Sequence, residues 1–128
     1  MSRVVSSMIL LLAVCFPQTT SAEFVAPTCE SLDEWTRNVP THRGASREEG
    51  QAALREMQDA TFSAAIFGEP YDELTAEELF VIRNKIVECA DSIDPGVNPQ
   101  LHSRLRQTVR FVSRSATYRS QQGPPRTQ

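Results

Sequence analysis

Between Leu74 and Cys89 the chain reads LTAEELFVIRNKIVEC, a run that leaves little choice of secondary structure. Thr75 is a good N-cap because its hydroxyl can accept from a backbone N–H of the first turn. Glu78, three residues on, can reach back to the Thr75 N–H and complete a capping box. Leu74 before the cap and Leu79 inside the helix are placed as a hydrophobic staple. From Leu79 onward Ile82, Ile86, Cys89 and Ile93 recur at steps of three and four, which lines one helix face and puts Cys89 on it. Phe80, Val81 and Val87 broaden that face, as expected of a central helix touched on several sides.

The start of the chain carries an address. Arg3, the apolar run Met8–Phe16 and the small residues of Thr20-Ser21-Ala22 together read as a secretory signal peptide over residues 1–22. The apolar run is much shorter than the roughly 20 residues a membrane span needs, so no stable span is expected after processing. Leu12-Ala13-Val14-Cys15 also has the outline of a bacterial lipoprotein box that would lipidate Cys15. Val14 stands where such boxes want a small residue, and this reading ranks second. Cleavage after Ala22 removes Cys15 and leaves Cys29 and Cys89, an even count in an exported chain, which predicts one disulfide. Its compartment is then a periplasm or the extracellular space.

The remaining signals are helical. Pro27 precedes a helix that Thr28 or Ser31 can cap, with Cys29, Leu32, Trp35, Thr36 and Val39 near one face and Pro40 at its end. Trp35, the only tryptophan, is expected as a core anchor. Ser46 and Glu49 form another capping box, opening a peripheral helix from Arg47 to about Gln58 whose apolar side is thin. Asp59 restarts a short helix over 60–67, with Phe62, Ile66 and Phe67 as core candidates. Gly68 suits the left-handed position after it, and Pro70 prevents continuation. In the loop Gly68–Glu73 the residues Tyr71, Asp72 and Glu73 could form a small site, but turn chemistry explains the Gly, Pro and Asp there without one. Asn98 and Pro99 open the last helix, whose buried stripe is predicted as Leu101, Leu105, Val109, Val112 and Ala116. No segment alternates long enough to argue a strand. The expected fold is an all-α bundle of about four helices plus one short helix over residues 23–119, stapled by Cys29–Cys89, with a disordered tail from Ser120 to Gln128.

Charge is the least even property. All sixteen acidic residues lie between Glu23 and Asp94, and from Pro99 onward there are six arginines and no acid. Arg106, Arg110 and Arg114 recur every fourth residue as one basic stripe, with Arg104 and Arg119 to its sides. Two uses fit the stripe. The simpler is pairing with the acidic remainder of the same domain; the other is a surface for an anionic ligand, polymer or partner, since guanidinium forks suit carboxylates and phosphates. Nucleic acid is a poor match for an exported chain of negative net charge with no aromatics interleaved in a basic groove.

Signatures of catalysis are missing. His42 and His102 lie far apart without metal-ligand spacing, and neither a nucleophile elbow, a phosphate loop nor a paired-cysteine motif is present. No catalytic residue, metal or cofactor is therefore assigned. Thr28-Cys29-Glu30, Ile86-Val87-Glu88-Cys89 and the basic last helix give a layout similar to that of small periplasmic acid-stress chaperones. That resemblance implies a pH-responsive holdase, in which acid neutralises carboxylates and leaves the arginines charged. The expected function is non-catalytic binding of a protein or other partner, with the chaperone as alternative and an enzyme third.

Overall fold

The computed structural model of the protein describes residues 23–41 and 44–122, and every regular element among them is helical. Residues 1–22, where the signal peptide and Cys15 are expected, residues 42–43 with His42, and residues 123–128 lie outside the described residues. In chain order the helices are α1 (Cys29–Trp35), α2 (Arg47–Met57), α3 (Ala60–Phe67), α4 (Ala76–Asp91) and α5 (Pro99–Gln121). Short 3-10 turns follow α1 at Thr36–Asn38 and precede α4 at Tyr71–Glu73. The all-α bundle and its Cys29–Cys89 disulfide are those expected from the sequence.

Local chemistry sets most boundaries. Thr75 and Glu78 exchange the two bonds of a capping box at 3.1 and 2.9 Å, and the staple residues Leu74 and Leu79 are both buried. At α1 the cap is Thr28, with Ser31 as its reciprocal partner. At α5 Asn98 accepts from the Leu101 N–H and Pro99 takes the first helical position. The expected end of the domain at Arg119 moves outward, since α5 continues through Ser120 and Gln121. Neither residue is a helix breaker.

The long helices α4 and α5 pack along each other and bury Leu79, Ile82, Ile86, Leu105, Val112 and Ala116 between them and the short helices. One expectation about this core needs correction, and one open point is answered. The broadened face of α4 is only partly covered: Phe80 and Val81 stay 38% and 44% exposed. Cys29 is exposed rather than facing inward with Leu32, since it opens α1 at the rim, and the bridge reaches in from there to the buried Cys89. The Cα atoms are 5.7 Å apart across 60 residues of sequence.

α1, α2 and α3 meet at a single carbonyl. Trp35, fully buried, donates its indole N–H to the Met57 carbonyl at 2.8 Å, and the buried Ser63 hydroxyl donates to the same oxygen at 2.9 Å. The otherwise exposed α2 thus ends in the core, and one of its orphan C-terminal acceptors is satisfied by side chains. Trp35 also meets the Phe67 ring edge-on at 4.9 Å and stacks with Tyr71 at 5.8 Å, which in turn stacks with Phe111 at 5.5 Å. Such pairs contribute about 0.5–1.5 kcal/mol each beyond burial.

Tyr71 is the main surprise of the core. Its ring is fully buried, yet its hydroxyl makes no hydrogen bond. Ser115 lies near it but out of hydrogen-bonding geometry, with its own hydroxyl donated to the Phe111 carbonyl at 3.2 Å. Burial pushes the phenol up from 10.0 to about 12, so the folded state holds the proton more tightly than the unfolded chain does. Stability therefore falls as pH rises from the unfolded value toward the folded one. Tyr71→Phe keeps the stacks and removes an unpaired polar group. It should leave stability unchanged or raise it by about 1 kcal/mol in urea unfolding at pH 7. Between roughly pH 10 and 12 the variant should also lose less stability than the wild type.

Gly68 ends α3 in the left-handed region at φ 81°. The segment before α1 crosses directly over it, with the Val25 N–H bonded to the Phe67 carbonyl at 2.8 Å. A Cβ on Gly68 would sit 2.2 Å from the Glu23 carbonyl oxygen. Gly68→Ala should therefore cost more than the roughly 1–2 kcal/mol of a left-handed alanine alone. The checks are a lowered Tm and loss of hydrogen-exchange protection at the Val25 amide.

Candidate functional site

α5 divides its arginines between two jobs. Leu105, Thr108, Val112 and Ala116 are buried along its inner face, while Leu101 and Val109 are half-buried at the edges. Thr108, a polar residue on the buried face, turns its hydroxyl back to the Arg104 carbonyl at 2.8 Å and so needs no outside partner.

Arg104 and Arg119 flank that inner face and are used within the fold. Arg104 reaches from α5 to the Asp33 carboxylate of α1, which Arg37 also approaches at 3.8 Å. Its side chain is only 16% exposed, and its Nε has no hydrogen-bond partner. Arg119 donates through Nη1 to the Tyr71 carbonyl at 2.9 Å and the Leu74 carbonyl at 2.5 Å. The same guanidinium lies over the Tyr71 ring, 5.5 Å from its centroid. It fastens the turn before α4 to the last turns of α5.

Arg106, Arg110 and Arg114 lie on the opposite side of the helix and are all exposed. Among the described residues no carboxylate comes within 4.0 Å of any of them. The ion pair between α5 and the acidic part of the chain is made by Arg104, on the flank, and not by the stripe. Sequence periodicity placed all five arginines on their sides of the helix. What it lacked was the partner of Arg104, which stands 71 positions away.

The exposed side has relief. Arg106, Arg110, Arg114 and Tyr118 form one row at four-residue steps, and Tyr118 is 63% exposed. A second row of smaller residues runs beside it through Val109, Ser113 and Thr117 to Gln121. Between the rows, from Val109 and Arg110 to Gln121, lies a shallow open furrow of about 670 Å³ lined by α5 alone, with Arg106 beyond its end. A second depression, of about 590 Å³, lies where Asn38, α2 and α3 meet. Its Arg55 sits beside Glu56 and Asp59, so it has no single charge preference.

No protein-family model, curated protein or solved structure matches this chain.

Other chemistry can be located too. Among the described residues no group of three or more His, Cys, Asp or Glu side chains is arranged to hold a metal ion. None of the described helices is long and apolar enough to cross a membrane. Near the start of α4, partial burial first and then the charges of Glu78 and Glu73 push the Glu69 carboxyl upward. Its ionised form is disfavoured by folding, so stability at this patch is lost as pH rises through the carboxylate range.

Proposed function

We propose that this protein is a non-catalytic binding module that works outside the cytosol and engages an anionic partner through the outer face of α5. The observation that carries the reading is the set of exposed arginines Arg106, Arg110 and Arg114, left without a carboxylate among the described residues while Arg104 and Arg119 on the same helix are bonded within the fold. Keeping three like charges four residues apart on one helix costs a few tenths of a kcal/mol per pair, which an outside anion would relieve. The Cys29–Cys89 bridge is consistent with export, as is the signal-peptide pattern of residues 1–22.

Charge reversal tests the reading. The R106E/R110E/R114E variant should keep the Tm of the wild type within a few degrees, because exposed substitutions away from packing usually change stability little. It should fail to retain the partner that the wild-type protein captures from the exported fraction of its own source. Equal capture by both proteins would end the proposal. Mass spectrometry of the exported protein should place its N-terminus at Glu23.

The acid-responsive chaperone has less behind it. At Glu69 protonation relieves first the cost of burying a charge and then the repulsion from Glu78 and Glu73, so acid stabilises this patch.

A further inference from the structure

The reading of α5 as a binding face can be taken one step further, to the shape of the partner, and this step rests on that reading. The furrow is bounded by two neighbouring rows of a single helix, with no wall from any other element. An extended peptide is held by a sheet edge or by a groove between elements, where its backbone or alternate side chains find partners. A convex helix surface with a furrow between four-residue rows takes the ridge of another helix.

The charges match such an occupant in register. Residues four apart on a helix advance about 6 Å along the axis, so Arg106, Arg110 and Arg114 repeat at the interval at which acids on one face of a second helix repeat. Each guanidinium can then meet one carboxylate. Ser113 and Thr117 in the second row are small enough for close approach of the two axes. Tyr118 ends the arginine row as an exposed aromatic anchor of the kind found at interface hot spots. We infer that the outer face of α5 docks an acidic α-helix of a different protein, with carboxylates every fourth residue along the arginine row and a small or apolar strip in the furrow.

Two other occupants fit less well. A lipid surface would need an apolar face to enter the acyl region, and the apolar face of α5 is already packed on α4. A second copy of this chain would need a helix with acids at three successive four-residue steps, and none of the described helices has one. Glu30 and Glu34 make a single step on the seven-residue α1.

The test uses labelled 20-residue alanine-based peptides and the full mature chain, read by fluorescence anisotropy. One peptide carries glutamates every fourth residue. The control has the same composition with glutamates five apart, on different sides of the helix. The first should bind roughly tenfold more tightly than the control, and R106E/R110E/R114E should abolish that preference, as expected for the loss of three surface charge pairs. R106Q/R110Q/R114Q should do the same without introducing new charge, and Tyr118→Ala should weaken binding with the salt dependence unchanged. Equal binding of the two peptides, or tighter binding to phosphatidylglycerol vesicles, would overturn the helical partner. If the charge-reversed protein loses its captured partner but neither peptide binds, the helical inference falls and the binding surface stands. If it keeps the captured partner, the surface itself falls.

Discussion

Reducing the Cys29–Cys89 bridge is expected to lower the unfolding free energy by about 4 kcal/mol, the entropy of closing a loop of this size in the unfolded chain. That is a large part of what a small domain possesses. The structure adds a reason for the loss to concentrate in α1. This helix has seven residues, too few to persist without tertiary support, and the bridge fixes its first residue to the buried end region of α4. Urea unfolding of the oxidised protein and of C29S/C89S measures the effect. The midpoint should fall sharply, and hydrogen exchange should show α1 opening before α4 and α5. A shift of less than about 1 kcal/mol would mean that packing alone holds α1 in place.

Trp35→Ala should cost about 3–5 kcal/mol, the usual range for removing a large aromatic from a core. Trp35 is fully buried, touches Phe67 and Tyr71, and bonds the Met57 carbonyl, so its loss loosens three helices together. Trp35→Phe separates the contributions. It keeps an aromatic surface but not the indole N–H, leaving the Met57 oxygen with Ser63 alone, and should lose about 1–2 kcal/mol. Both effects act on α1, so Trp35→Ala combined with C29S/C89S should not cost the sum of the separate losses. Once α1 is released, removing the other constraint on it changes little.

Features decided within a few residues were legible in the sequence. The Thr75–Glu78 box, the Asn98-Pro99 start and Gly68 in its left-handed position are each fixed by neighbours in the chain, and all three are found as expected. Tyr71 was not. Its surroundings, Gly-Glu-Pro-Tyr-Asp-Glu, have the composition of a turn, and a turn forms there; its ring is buried by Trp35 and Phe111, which the sequence holds far apart. Thr108 and Ser63 escaped for a similar reason, because a hydroxyl that bonds a nearby carbonyl can occupy a core position. For the candidate site, the arginine row could be read from spacing. Which arginines the fold itself would use could not, since the acceptors of Arg119 are carbonyls in a distant turn.

The hold of Arg119 on that turn has a consequence for the order in which the molecule can be completed. The acceptors lie 48 and 45 positions earlier, and the donor stands in the last turns of α5. A chain emerging from its N-terminus presents Trp35, Tyr71, Cys29 and Cys89 before it presents Arg119 or the Phe111 ring. Until then the Tyr71 and Leu74 carbonyls lack their donor and one side of the aromatic stack is open. The bridge can form early, but the packed state has to wait for the last turns of α5, so stopping α5 one or two turns short would leave a covalently closed molecule with an unfinished interior.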